Sequence, residues 1–166
     1  MNVTHRPLQP RYTLVDHHGR KVTEQDFPGR YQMVFFGFTH CRPVCPRVLG
    51  LLSTVLDNLG PLADRIQPLY VSVDPERDTP SVMRAFLEQT YPRSLGLTGS
   101  PEAAEAARAA FRVYAGHGAD PEDPEGYAVP HTALTYLLDP VAAYLAHFPD
   151  ILDADEITDR IRKLVQ

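Results

Sequence analysis

The chain has 166 residues, a formal net charge of −5, 43% hydrophobic residues and 22% charged residues. Such a length is the usual size of one domain, the apolar share excludes an intrinsically disordered chain, and the acidic balance excludes a nucleic-acid binder that neutralises phosphates. Two cysteines are too few for a disulfide scaffold or a four-thiolate zinc site.

Proline is over-represented, with 16 copies against a usual share of about 5%, so element boundaries should be legible. Met1 to Pro7 hold neither the apolar core nor the cleavage site of a signal peptide. The longest apolar stretch, Met33 to Phe38, falls far short of the roughly 20 residues that a membrane helix needs. The expectation is a soluble chain that inserts into no membrane by itself, with a tail over residues 1–10 and a single domain over 11–166.

In chain order, Tyr12–Val15 and Arg20–Thr23 flank the turn residues His18-Gly19 and predict a small hairpin. Pro28-Gly29 introduces Tyr31–Phe38, a nearly continuous apolar run that reads as a strand buried on both faces. Val48, Leu51, Leu52, Val55, Leu56 and Leu59 recur at three- and four-residue spacing and predict a helix over Pro46–Leu59, ended by Gly60-Pro61. Ile66–Val73 predicts a second buried strand, stopped by Asp74-Pro75. A further helix opens at Pro80 with Asp78 or Thr79 as its N-cap.

Pro101–Phe111 predicts an alanine-rich third helix and Arg112–Ala115 a short strand. Gly116–Tyr127, rich in Gly, Pro and Asp, reads as a mobile loop. Thr132–Leu138 and Ala142–His147 predict a hairpin around Asp139-Pro140, and the last helix begins at Asp153, with Glu156 placed to complete a capping box. Strands alternating with helices, then a hairpin and a terminal helix, predict an α/β fold with a mixed sheet. A thioredoxin-like three-layer sandwich with an N-terminal β-hairpin fits best.

Both cysteines fall in Thr39-His40-Cys41-Arg42-Pro43-Val44-Cys45-Pro46, between the first buried strand and the first long helix. Ligands of open α/β sheets bind outside the carboxyl ends of the strands. A three-residue spacer sets two thiols about one helical turn apart, and a helix N-terminus raises the thiolate fraction that binds metal or attacks a disulfide. The bland alternative is a pair of small buried hydrophobes, which leaves their shared position at a functional sheet end unexplained. The spacing alone leaves metal binding and dithiol exchange both open.

Four blocks occur in order: Phe36-Gly37-Phe38-Thr39-His40-Cys41 through Cys45-Pro46, Val71-Ser72-Val73-Asp74-Pro75-Glu76-Arg77-Asp78-Thr79-Pro80, Gly96-Leu97-Thr98-Gly99, and Pro130-His131. In these blocks the chain resembles the Sco (SenC) family from about Tyr12 onward. The resemblance implies a thioredoxin-like fold and a copper site made by Cys41, Cys45 and His131. It also implies a metallochaperone or thiol-disulfide reductant that helps build the copper centre of cytochrome c oxidase. The implied partner is a subunit of that oxidase or another copper or thiol protein, and the implied compartment is periplasmic.

Two thiolates favour Cu(I), and an added imidazole makes Cu(II) acceptable. Three protein ligands leave one position open, as a carrier that hands its ion on requires. Cys41 and Cys45 are also the candidate redox pair of a metal-independent thiol-disulfide oxidoreductase. His40, His117 and His147 are weaker ligand candidates, while His5, His17 and His18 read as solvated. Asp74 and Asp78 suit turn formation and capping, or a negative potential that attracts copper or docks a partner.

The chain departs from the family pattern in its spacer, Arg42-Pro43-Val44, where Pro-Asp-x is usual. Pro130 replaces an aspartate before the histidine, and the late hairpin lacks its glycine. A peroxidatic cysteine would follow Thr or Ser by three positions, whereas Phe38 precedes Cys41 and Arg42 precedes Cys45, which counts against a peroxiredoxin. A pure scaffolding module would give no reason for the cysteine pair.

Overall fold

The structure is a computed structural model that describes residues 8–39, 44–113, 118–120, 123–128 and 134–165, with backbone only for 44–45, 118–120 and 123–128. Nine strands, β1 (Thr13–Asp16), β2 (Lys21–Thr23), β3 (Tyr31–Gly37), β4 (Ile66–Ser72), β5 (Leu95–Thr98), β6 (Gly118–Asp120), β7 (Asp123–Ala128), β8 (Leu134–Leu138) and β9 (Tyr144–Pro149), accompany four α-helices and two short 3-10 turns among the described residues. The helices are α1 (Val44–Leu59), α2 (Pro80–Thr90), α3 (Pro101–Phe111) and α4 (Ala154–Leu164).

Seven strands form one sheet in the order β2-β1-β5-β4-β3-β8-β9. Its centre is parallel, since β3 pairs with β4 and β4 with β5 through the crossovers α1 and α2, while β1 and β8 join antiparallel on either side. This is a mixed α/β sheet whose functional edge is the carboxyl end of β3 and β4.

Strand alternation sorts the core into two halves. Tyr31, Met33 and Phe35 of β3, with Ile66 and Tyr70 of β4, face α1, α2 and α4 through Val48, Leu52, Val55, Met83, Leu87, Ile157 and Ile161. Val34 and Phe36 of β3, with Leu69 and Val71 of β4, face Ala107 and Phe111 of α3. Both faces of β3 are therefore buried, which is why it carries no polar residue apart from Gln32. Gln32 is satisfied by donating from Nε2 to the Glu24 carbonyl at 2.9 Å and accepting from the Tyr12 hydroxyl at 2.7 Å. Phe35 stacks on Tyr70 with ring centroids 5.9 Å apart, and Tyr70 on Phe86 at 5.9 Å; each such pair adds about 0.5–1.5 kcal/mol beyond its burial.

The boundaries follow local chemistry. The Thr79 hydroxyl, rather than the Asp78 carboxylate, caps α2 by accepting from Val82 N–H at 3.4 Å. Ser100 caps α3 by accepting from Ala103 N–H at 3.1 Å. Pro80 and Pro101 occupy the first turns, where a missing N–H costs nothing. Gly19, at φ +86°, supplies the left-handed residue of the β1–β2 turn. The buried Asp16 ties that turn by accepting from the N–H groups of His18 at 2.8 Å and Arg20 at 3.0 Å.

Several expectations are corrected. α1 begins at Val44, two residues early, because proline is compatible with a first turn. β5, read only as a motif block, is a strand between β1 and β4. Arg112 and Val113 form no strand: Arg112 adopts a left-handed conformation (φ 56°, ψ 40°), and Val113 N–H returns to the Arg108 carbonyl at 2.8 Å, closing α3. Within the stretch read as a mobile loop, β6 and β7 pair as an antiparallel ribbon. Asp153 caps α4 by accepting from Glu156 N–H at 2.8 Å, whereas the Glu156 carboxylate accepts from Arg160 at 2.7 Å instead of closing a capping box.

Candidate functional site

The segment leaving β3 is held residue by residue. Gly37 offers its carbonyl to Val73 N–H at 2.8 Å, and Phe38 offers its carbonyl to the Tyr70 hydroxyl at 2.9 Å. Thr39 donates twice to Asp78, from its N–H to Oδ2 at 3.1 Å and from its hydroxyl to Oδ1 at 2.5 Å. Asp78 Oδ2 accepts a third bond, from the Ser72 hydroxyl at 2.7 Å. The backbone of Asp78 is fixed as well: its N–H donates to the Asp74 carbonyl at 2.9 Å, and its carbonyl accepts from the Thr98 hydroxyl at 2.6 Å.

Asp78 is 0% exposed. Burial pushes its carboxyl above the ordinary carboxylate value, and the neighbouring Asp74 adds to the rise, while the hydrogen bonds from Thr39 and Ser72 oppose it. Asp74 is equally buried and pairs with the Arg77 guanidinium, whose carbon lies 5.9 Å from the Phe38 ring centroid. Asp74 N–H donates to the Ser72 hydroxyl at 3.0 Å. Neither carboxylate points into solvent as a free charge, so the reading of both as an attracting potential gives way to one of internal anchoring.

Of the sequence-predicted site residues, Cys45 contributes its backbone as the second residue of α1. Cys41 and His131 lie outside the described residues, as do His40, Arg42 and His117. The described anchors around them converge on one sheet end. Thr39 stands two residues before Cys41, and β8 begins three residues after His131, with Thr135 paired to Phe35 of β3. His147 is on β9, where its Nδ1 lies 2.5 Å from the Tyr144 hydroxyl.

Sequence reasoning did not single out Thr39, Ser72 or Thr98 as site residues. One signal existed: Ser72 is a polar residue inside a buried run, and such a residue needs a partner. His17 is also corrected, being buried at 7% exposure. Its Nδ1 accepts from Gly96 N–H at 3.1 Å, and burial, reinforced by His18, pushes its pKa below the usual value. His17, His18 and Glu88 bring potential ligand atoms within 4.8 Å of one another. With Nδ1 accepting, however, the His17 proton sits on Nε2 and the ring has no free lone pair for an ion. This cluster lies at the amino end of β5, opposite the cysteine motif. An apolar groove of about 180 Å³ lined by Met33, Phe35, Leu52, Leu56 and Tyr91 contains none of the predicted site residues.

Comparison with known proteins follows the same geometry. The SCO1/SenC family model matches residues 2–166. The chain belongs to the SCO1/SenC family. This family member is 38% identical over 157 residues to the mitochondrial SCO2 homolog of Danio rerio, covering 93% of this chain and 56% of that protein. It is 36% identical over 139 residues to the human mitochondrial SCO1 homolog, covering 82% of this chain and 46% of the relative. The chain thus spans about half the length of these curated relatives.

Among solved structures, Arabidopsis thaliana ScoI with copper bound matches with a TM-score of 0.89 at 30% identity, over 95% of this chain and 98% of that one. Bradyrhizobium japonicum ScoI with copper bound matches at 0.82 and 34%, over 93% and 97%. The fold is thioredoxin-like, as expected. No helix among the described residues is long and apolar enough to cross a membrane.

Proposed function

We propose that this chain carries copper as its cargo, held by Cys41, Cys45 and His131, and serves the assembly of a copper centre. The observation that carries this reading is the likeness to copper-bound ScoI over nearly the whole chain, with a TM-score of 0.89. Two features of this structure support it. β3 leads into the cysteine segment from an anchored Thr39, and Cys45 enters at the N-terminal turn of α1, where unpaired N–H groups and the macrodipole favour thiolate.

Two thiolates and an imidazole suit Cu(I) and tolerate Cu(II), and three ligands leave a position through which the ion can pass to an acceptor. Three residues span at most roughly 10 Å. β8 is antiparallel to β3, so a chain entering it comes from the sheet end at which β3 terminates, and β8 opens three residues after His131 in the sequence. The recipient we infer is the copper-bearing subunit of cytochrome c oxidase, or its thiols if reduction is the task. The compartment we infer lies outside the cytoplasm, where that centre is loaded; related proteins carry mitochondrial names.

Titration of the reduced protein with Cu(I) against a competing chelator tests the reading. One tight site per chain is expected, weakened by His131→Ala and abolished by Cys41→Ser or Cys45→Ser. Affinity unchanged in His131→Ala would refute the three-ligand set. Metal-free catalytic disulfide reduction that survives His131→Ala would instead assign a thiol-disulfide oxidoreductase.

A further inference from the structure

Every donor around Asp78 belongs to the frame that launches the cysteine segment. Its two carboxylate oxygens take three hydrogen bonds, two from Thr39 and one from Ser72, and both its backbone groups are bonded. Thr39 N–H is the last backbone donor described before Cys41. A carboxylate so occupied has little left to offer a metal ion, and at 0% exposure it offers a partner no surface. What remains is geometry. Ser72 lies on β4, Thr98 on β5 and Thr39 just beyond β3, so Asp78 gathers three adjacent strand ends onto one residue, two through its carboxylate and the third through its backbone carbonyl.

We propose that Asp78 is a positioning residue for the cysteine pair: by gripping Thr39 at both its N–H and its hydroxyl, it sets the point and direction from which the Cys41 segment departs. It thereby tunes the dithiol and its metal without touching either. The inference rests on the copper and dithiol reading of Cys41 and Cys45 above. Asparagine could keep the shape at position 78, but its amide brings two donors into a basket already filled with donors. Valine at position 39 would keep the backbone bond and remove the hydroxyl bond alone.

The test uses Thr39→Val, Thr39→Ser and Asp78→Asn beside the wild type, with three readouts: Cu(II) affinity, the sulfur-to-copper charge-transfer band, and the midpoint potential of the cysteine pair against a glutathione buffer. Changing a residue that orients ligands costs about tenfold or more in metal affinity. Thr39→Val and Asp78→Asn are therefore expected to weaken copper by about that factor and to move both the band and the potential, while Thr39→Ser, which retains the hydroxyl, restores all three. Thermal unfolding run alongside separates folding from positioning. If Thr39→Val lowers the melting temperature yet leaves affinity, band and potential at wild-type values, Asp78 only stabilises the fold and the proposal is overturned. If the wild type itself binds no copper, the copper reading fails, and the potentials of the same variants still decide the positioning role.

Discussion

The carboxyl ends of β3 and β4 and the amino end of β5 both bury a titratable side chain, Asp78 at one and His17 at the other. Asp78 is an acceptor surrounded by donors from β4 and from the segment after β3. His17 spends one ring nitrogen on one backbone donor, Gly96 N–H. The first arrangement joins elements that lead to the cysteine segment; the second joins the β1–β2 hairpin to the sheet. Titration separates them further, because burial raises Asp78 and lowers His17. A carboxyl group filled with donors stands where the cysteine segment departs, and an imidazole with one backbone donor stands where β1 meets β5.

The largest effect expected at either end is that of Asp78→Ala. It strands two hydroxyls and a backbone N–H around a small cavity, at a cost of about 2–4 kcal/mol. Urea unfolding should show a lower midpoint with an unchanged m-value. A loss below about 1 kcal/mol would mean that Thr39 and Ser72 find other acceptors readily, and the contrast between the two ends would collapse.

Gly96→Ala probes the other end. An added Cβ would lie 2.8 Å from Leu87 Cδ1, 3.0 Å from Met83 Cε and 3.3 Å from His17 Nδ1. Overpacking of this kind costs about 1–3 kcal/mol, and the tips of two flexible side chains place it toward the lower half. The thermal midpoint should fall while the copper affinity and dithiol potential stay at wild-type values. A change in either would show that the two ends communicate through β5.

Much of this contrast was invisible along the chain, for identifiable reasons. β3, α1 and α3 were legible because an apolar run, a 3.6-residue period and an alanine-rich stretch opening at a proline are local signals. β5 was not, since four residues interrupted by Gly96 are too short a run to read as a strand, and pairing with β1 and β4 makes them one. The β6–β7 ribbon hid behind a composition typical of loops. Cys41, Cys45 and His131 are proposed from their motifs and the family resemblance alone, whereas Asp78 was ambiguous because Asp-Thr-Pro suits a cap as well as an anchor. Its bond to Thr39 spans 39 residues, and only the parallel pairing of β3 with β4 brings the two together. His17 was read as solvated because a His-His pair beside a glycine turn looks exposed; α2 and β5 cover it.

The pH dependence of stability should carry opposite signs at the two ends. His17 has a folded pKa below its unfolded value of about 6.5. Its contribution is therefore present above that value. It declines as pH falls through the unfolded pKa toward the folded one, because the unfolded chain takes up the proton first. Asp78, raised in the fold, behaves conversely: its contribution is present at low pH and is lost as pH rises through the folded value. His17→Gln, whose amide oxygen can accept from Gly96 N–H, should lose less stability than wild type between pH 7.5 and 5. Parallel losses in the two proteins would remove His17, which faces Asp16, His18, Arg84 and Glu88, from the account.

The smallest expected effect is at the Arg47–Asp150 pair, which links the first turn of α1 to the connection between β9 and α4. It is near the cysteine end, as the Asp78 network is, yet the Arg47 side chain is 54% exposed and that of Asp150 21%. Exposed ion pairs of this kind contribute about 0.2–1 kcal/mol, since water screens the charges and the long arginine side chain loses rotamer freedom when held. A double-mutant cycle with Arg47→Ala and Asp150→Ala should give a coupling in that range that shrinks further in 1 M salt. A coupling as large as the Asp78→Ala loss would show that this end is held together from its surface, and the assignment of the anchoring to the buried carboxylate would have to be withdrawn.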